Sequence, residues 1–157
     1  MKYICPLLVV SNLERSRTFY ETLLRQKVKV DFGENLTFEG DFAIHLKEHY
    51  SSLIENKDIS FGSNNAELYF EYDDVDGIAA ELHDQKVEFI HPVREQPWRQ
   101  KVVRIYDPDY HIIEIGESME NLCRRLLGEG KTLEEVSQIS YMPVEFVKNL
   151  LNSPEQN

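Results

Sequence analysis

An internal repeat constrains the fold of this chain more than any other feature. Segment 5–14 aligns with segment 67–76, and each carries a strand pattern that ends in polar residues suited to cap a helix, Ser11-Asn12 in the first copy and Asp73-Asp74 in the second. Helical periodicity follows each cap, and further strand patterns follow each helix. Each half of the repeat therefore predicts a βαβββ module, and the pair predicts an α+β fold.

The modules form a predicted domain over residues 2–117, with about residues 2–50 in the first and about 64–117 in the second. Between them, about residues 48–65 are polar and contain glycine, which predicts a linker. Residues 118–157 lie outside the repeat, and their apolar spacing predicts a helical C-terminal extension. Its helix-turn-helix-like pattern has few basic residues, so packing or dimerisation is favoured over DNA contact.

The closing strands of the two halves also align, and this pairs His45 with Glu114. Glu114 stands in an otherwise apolar strand, where a buried carboxylate is costly unless a metal ion or a basic group pairs with it. Strand alternation places His45 and Glu114 on the sheet face opposite the helices. We therefore expect both side chains on the face where a ligand would bind.

Two further candidates come from the opening strands, where the alignment places Cys5 and Glu67 at equivalent positions. Thiolate, imidazole and carboxylate together suit Zn²⁺, Ni²⁺, Co²⁺ or Fe²⁺, and Mn²⁺ suits the set if Cys5 is not a ligand. Glu67 or Glu114 would then serve as a catalytic base. Alternatively, Cys5 is a small buried hydrophobe, His45 a satisfied strand residue and Glu67 a solvated one.

Three residues of the second half are candidates for substrate binding. Trp98 precedes a predicted strand and Arg104 lies within it, so the two could clamp a planar or anionic ligand. Tyr69 shares its strand face with Glu67 and would line the same site. Core packing for Trp98 and a surface salt bridge for Arg104 are the alternatives.

The composition limits the partners that the chain can have. At 157 residues it is long enough for one compact domain, and its net charge of −11 argues against nucleic acid and anionic membranes. No leader pattern and no apolar stretch of membrane length are present, which predicts a cytoplasmic protein. The two cysteines, Cys5 and Cys123, fit reduced thiols better than a disulfide.

The duplicated βαβββ pattern, the helix opening at residues 13–20 and the ending at residues 106–114 together resemble the vicinal oxygen chelate superfamily, which includes glyoxalases, bleomycin resistance proteins and extradiol dioxygenases. The resemblance covers about residues 2–117. It implies an open, U-shaped mixed sheet around a cleft, which is completed within one chain or across a homodimer.

The resemblance also implies a divalent metal ion held at the positions of Cys5, His45, Glu67 and Glu114, and Glu114 matches the terminal glutamate of the superfamily directly. The chain departs from the pattern at Cys5 and Glu67, and Arg99 stands where glycine often follows Pro-Trp. The function implied is a metal-dependent lyase or isomerase acting on a small oxygenated substrate.

The alternative implied by the resemblance is a metal-free protein that sequesters an aromatic or cationic small molecule in an acidic cleft lined by Trp98, Tyr69, Glu67 and Glu114. A third reading makes the C-terminal extension a protein-interaction module and the core a ligand sensor.

Overall fold

The computed structural model describes residues 1–151 and has an α+β fold of paired βαβββ modules with C-terminal helices, which confirms the predicted fold class. The chain divides into two compact units, one formed by residues 1–67 and 106–112 and the other by residues 68–105 and those from 113 onward. Among the described residues, no helix has the length and apolar character needed to cross a bilayer. The elements in chain order are β1 Leu7–Val10, α1 Leu13–Thr18, a π-helical turn Phe19–Leu23, β2 Val28–Asp31, β3 Asn35–Phe38, β4 Ala43–Leu46, α2 Lys47–Leu53, β5 Glu67–Glu71, α3 Val75–Asp84, β6 Phe89–Glu95, β7 Lys101–Tyr106, β8 Ile112–Gly116, α4 Met119–Gly128, α5 Leu133–Ser140 and α6 Val144–Leu150.

The first sheet has the strand order β1-β4-β3-β2, with β1 parallel to β4 and β3 antiparallel to both of its neighbours. β1 begins at Leu7, so Cys5 lies before the strand, and the prediction that placed it within a strand was wrong. Pro6 has no backbone N–H to donate to a ladder, and its carbonyl oxygen accepts the Ala43 N–H at 3.0 Å. The paired strand therefore starts after the proline.

Helix α1 begins where the sequence predicts, because the Asn12 side chain accepts the Arg15 N–H at 2.9 Å. The helix continues into the π-helical turn, which carries Tyr20 into the interior. The centroid of the buried Tyr20 ring lies 5.6 Å from that of Phe38 and 5.1 Å from that of Phe42. These aromatic contacts form a large part of the core of the first unit.

The second sheet has the order β5-β8-β7-β6, and β6 is antiparallel to β7. The side chain of Asp74 caps α3 by accepting the Gly77 N–H at 2.9 Å. Val103 and Ile105 of β7 and Ile113 of β8 are fully buried. The alternate residues of these strands point to the opposite sheet face, where the polar side chains of the candidate site lie.

Residues 118–151 of the C-terminal extension form three helices, as predicted, and the part of the prediction that concerns residues 152–157 lies outside the described residues. Thr132 begins α5 with a capping box, in which its hydroxyl accepts the Glu135 N–H and the Glu135 carboxylate accepts the Thr132 N–H. The helices share a buried cluster, which we call the C-terminal core: Leu122, Cys123, Leu126, Val136, Val147 and Leu150. Trp98, between β6 and β7, packs against this core and so joins the extension to the second module.

The segment predicted to be a linker, about residues 48–65, begins with helix α2, which the sequence pattern did not predict. None of its residues is buried, and no side chain caps its first turn. A helix without a buried apolar stripe lacks the periodicity that reveals helices in sequence. The pattern therefore indicated only a polar segment at these positions.

Candidate functional site

Glu114 has a basic partner. The residue is only 8% exposed in the middle of β8, and its carboxylate forms an ion pair with the guanidinium of Arg104 on the neighbouring strand β7. His91 lies on the adjoining strand β6, and its Nε2 is 3.5 Å from Nη1 of Arg104. Of the two kinds of partner that the sequence left open for this carboxylate, the structure supplies the basic group.

Tyr69 presents an aromatic ring at the edge of the same sheet. The residue is 46% exposed, yet its hydroxyl oxygen accepts the Gln100 amide N–H at 3.0 Å, and the hydroxyl donates to Glu71 Oε1 at 3.2 Å. Partial burial and the negative charge of Glu71 raise the pKa of Tyr69 to about 12. The phenol is therefore neutral at physiological pH, and its orientation is set by two partners.

Gln100 links Tyr69 to the C-terminal helices. Its Oε1 accepts the indole N–H of Trp98 at 2.9 Å, and its Nε2 also donates to the Glu117 carbonyl oxygen at 2.8 Å. A Cβ at Gly116 would lie 3.1 Å from Gln100 Nε2 and 3.2 Å from Tyr69 Cε2, so the absence of a side chain there permits this close packing. The sequence prediction included Trp98 and Tyr69 but missed Gln100, because a lone glutamine between two strands carries no periodic signal.

An open depression of about 450 Å³ lies at the end of β5 and is lined by Glu71, Tyr72, Asp73, Asp74 and Ser118. Asp73 also accepts the Ser118 backbone N–H at 3.0 Å, which holds its carboxylate in place. The lining contains three carboxylates and neither a lysine nor an arginine. Glu71 belongs both to this depression and to the Tyr69 hydrogen bond, so the aromatic ring and the acidic lining are adjacent.

His45 is buried in β4 of the first unit, where it contacts polar neighbours. Its Nδ1 accepts from the Asn35 amide at 3.2 Å, and its Nε2 lies 2.7 Å from Nδ1 of His49. Burial and the adjacent His49 lower the pKa of His45, while the carboxylate of Glu34 acts in the opposite direction. Because the Asn35 amide donates to Nδ1, the neutral imidazole carries its proton on Nε2 and donates it to Nδ1 of His49. From the sequence, His49 is expected to be a solvated side chain, so its contact with His45 was not predicted.

The other two predicted ligands lie in less enclosed surroundings. Cys5 is half-buried ahead of β1, and Glu67 is the exposed first residue of β5. Within residues 1–151, no group of three or more His, Cys, Asp or Glu side chains is arranged to hold a metal ion. The carboxylate of Glu114 is engaged in its ion pair with Arg104. The assignment of these residues as ligands stays a prediction.

Paired βαβββ modules with this strand order define a member of the vicinal oxygen chelate superfamily. The family model of the glyoxalase-like domain matches residues 3–120, and the chain belongs to this family. Helices α5 and α6 lie outside the matched range. The comparison with curated proteins found no match.

Solved structures with the same fold agree with this assignment. A protein of unknown function from Agrobacterium tumefaciens strain C58 is 40% identical, with a TM-score of 0.69 over 75% of this chain and 94% of that one. A glyoxalase/bleomycin resistance protein/dioxygenase from Nocardioides is 20% identical, with a TM-score of 0.60 over 74% of this chain and 83% of that one. A lactoylglutathione lyase from A. tumefaciens is 20% identical, with a TM-score of 0.57 over 75% and 95% of the two chains. The last two likenesses concern the fold alone.

Proposed function

We propose that this family member is a small-molecule binding protein whose ligand is a planar cation, held at Tyr69 and Glu71. The observation that carries the proposal is the depression beside the exposed Tyr69 ring, with three carboxylates and no lysine or arginine in its lining. An aromatic face next to carboxylates suits a ligand that is both flat and positively charged. Of the acidic cleft expected as an alternative from the sequence, this proposal keeps Tyr69 and takes Glu71 in place of Trp98, Glu67 and Glu114.

The energies involved favour a cation over a neutral ligand of the same shape. A cation over a tyrosine ring gains about 0.5–1 kcal/mol at an exposed site. A charge-assisted hydrogen bond to Glu71 adds about 1.5 kcal/mol or more. Because 1.4 kcal/mol corresponds to a factor of about ten in affinity, we expect at least tenfold selectivity for the charged ligand. The net charge of −11 further raises the local concentration of cations.

The competing proposal is the metal-dependent lyase or isomerase, in which Cys5, His45, Glu67 and Glu114 hold Zn²⁺, Ni²⁺, Co²⁺, Fe²⁺ or Mn²⁺ and one glutamate acts as base. The ion pair between Glu114 and Arg104 counts against it, because a metal ion would have to displace the guanidinium. The cation-binding proposal has no such requirement.

Benzamidine and its neutral isostere benzamide test the leading proposal. Titration of ¹⁵N-labelled protein should give a dissociation constant on the order of 1 mM for benzamidine, as expected for so small a ligand, and binding of benzamide at least tenfold weaker. Tyr69→Ala and Glu71→Gln should each weaken benzamidine binding by about tenfold. Tyr3→Ala, which removes a tyrosine of the first unit that is 78% exposed, serves as the matched control. Equal affinity for the two compounds would refute cation recognition.

Metal analysis separates the two proposals. The protein is purified without an affinity tag or chelator, assayed for bound metals and titrated with each of the five ions. Stoichiometric binding that is lost in Glu114→Gln would favour the metal-dependent enzyme.

A homodimer and a cytoplasmic location are further proposals that rest on the superfamily resemblance and the sequence. Sedimentation analysis tests whether the protein is a homodimer.

A further inference from the structure

We infer that Gln100 is the positioning residue through which the C-terminal helices hold Tyr69 in its ligand-binding orientation, an inference that rests on the proposed role of Tyr69. Three observations support it: the attachment of the segment before β7 to helix α4, the packing of Trp98 on the C-terminal core, and the direction of the hydrogen bonds from Trp98 to Glu71.

Polar contacts attach the segment between β6 and β7 to α4. Arg99 has a φ of 73°, in the left-handed region that favours glycine, and its guanidinium pairs with Glu95 at 2.7 Å and Glu129 at 3.5 Å. Nη2 of Arg125 donates to the Arg99 carbonyl oxygen and to Glu117, both at 2.7 Å. A non-glycine residue is thus kept in a strained conformation where its side chain reaches the C-terminal extension.

Only one assignment of donors and acceptors fits the hydrogen bonds that connect Trp98, Gln100, Tyr69 and Glu71. An indole N–H can only donate, so the group facing Trp98 must be the Gln100 oxygen, which turns the amide nitrogen toward Tyr69. The Tyr69 oxygen therefore accepts, and its proton points to Glu71. Trp98 and the Glu117 carbonyl oxygen thereby orient the Gln100 amide, and through it the Tyr69 proton is directed toward Glu71.

Gln100 cannot adopt another orientation without losing contacts. The residue is 4% exposed, its Oε1 accepts from Trp98, and its Nε2 donates to both Tyr69 and the Glu117 carbonyl oxygen. Rotation of the amide would place two donors against each other at the indole. Loss of the amide leaves the Tyr69 hydroxyl with Glu71 as its remaining partner among these contacts, so we expect a less ordered ring and weaker binding of benzamidine.

The first test measures benzamidine affinity in Gln100→Met, Tyr69→Phe and the double variant. If Gln100 acts through the Tyr69 hydroxyl, each single variant should bind about three- to tenfold more weakly than the wild type, and the double variant no more weakly than the weaker single one. Gln138→Met, which changes an exposed glutamine of α5, should bind like the wild type. Independent, multiplying losses in the double variant would overturn the inference.

The second test needs no ligand, because Trp98 is the only tryptophan and gives the only indole N–H resonance. Tyr69→Phe should shift this resonance through Gln100, whereas Tyr3→Phe should not. An unchanged indole resonance in Tyr69→Phe would overturn the positioning role even if benzamidine binds. Failure of benzamidine to bind the wild type would overturn the proposed function. The indole result would then decide whether Gln100 couples Tyr69 to Trp98. If Gln100→Met does not fold, Trp98→Phe replaces it, since it keeps a ring in the C-terminal core.

Discussion

Replacement of Arg104 by methionine should lower the free energy of unfolding by about 3–4 kcal/mol, because it leaves the Glu114 carboxylate buried without its charged partner. The side chain of Glu114 is 10% exposed and that of Arg104 is 24% exposed, so water can compensate the glutamate far less than the arginine. Methionine retains most of the aliphatic stem of arginine, which limits the loss of packing. The expected penalty is therefore mainly electrostatic.

Replacement of Glu114 should lower the free energy of unfolding less than replacement of Arg104. Glu114→Gln keeps the shape of the side chain, and the remaining guanidinium is closer to solvent, so we expect a loss of about 1–2 kcal/mol. The double variant Arg104→Met with Glu114→Leu should be more stable than Arg104→Met alone, since it buries no charge. This ordering distinguishes a desolvation penalty from a simple loss of contacts.

Urea unfolding at two pH values provides the assay. In Arg104→Met, burial should raise the pKa of Glu114, so the carboxyl takes up a proton and the penalty shrinks as the pH falls from 7 to about 5. Lys29→Met breaks an exposed pair in which Lys29 and Asp41 are 58% and 76% exposed, and it should change stability by less than about 0.5 kcal/mol. A penalty in Arg104→Met that is no larger than in Lys29→Met, or that does not depend on pH, would refute the reasoning.

Two further predictions concern the turn before β8 and the packing beneath Tyr69. Burial acts to raise the pKa of Asp107, but hydrogen bonds from the side chain and backbone of His111 hold it below its ordinary value. Asp107→Asn should therefore cost about 2 kcal/mol at pH 7 and progressively less below about pH 4, as pH-dependent urea unfolding would show. A Cβ at Gly116 would lie 3.2 Å from Tyr69 Cε2, so Gly116→Ala should destabilise the fold by about 1 kcal/mol or more and weaken benzamidine binding. Gly128→Ala, with no atom within 4 Å of the added Cβ, is the control, and equal melting temperatures for the two variants would contradict the packing argument.

The internal repeat predicted the two βαβββ modules because each module repeats both the cap chemistry and the hydrophobic periods. Asn12 and Asp74 cap their helices as expected, and the three C-terminal helices follow their apolar spacing. Glu114 was also identified as a buried charge that needs a partner. These features are local or periodic, so a single sequence is enough to reveal them.

The parts that the sequence did not reveal depend on contacts between distant residues. Helix α2 has no buried face, so its pattern resembles that of a polar loop, and His49 was missed with it. Gln100 forms contacts with Tyr69, Trp98 and Glu117, which come together only in the folded module. Arg104 was predicted to bind substrate, and its pairing with Glu114 depends on the register of two neighbouring strands.

The duplication predicts the strands and helix of each module, but it does not predict that residues from the second repeat belong to the first compact unit. Residues 106–112 belong to the first compact unit, although they form the last turn of the second repeat. There Asp107 accepts the hydroxyl of the buried Tyr20 at 2.8 Å, and Asp109 accepts the Ser11 N–H at 3.1 Å and pairs with Arg15 at 2.9 Å. Without Asp107 the hydroxyl of the buried Tyr20 would lose its partner, at a cost of about 1–3 kcal/mol, and without Asp109 the start of α1 would lose its contacts with this turn. Residues 1–67 of the first unit are therefore stabilised by residues 87 to 98 positions later in the chain. The two halves share a sequence pattern, but different contacts stabilise them.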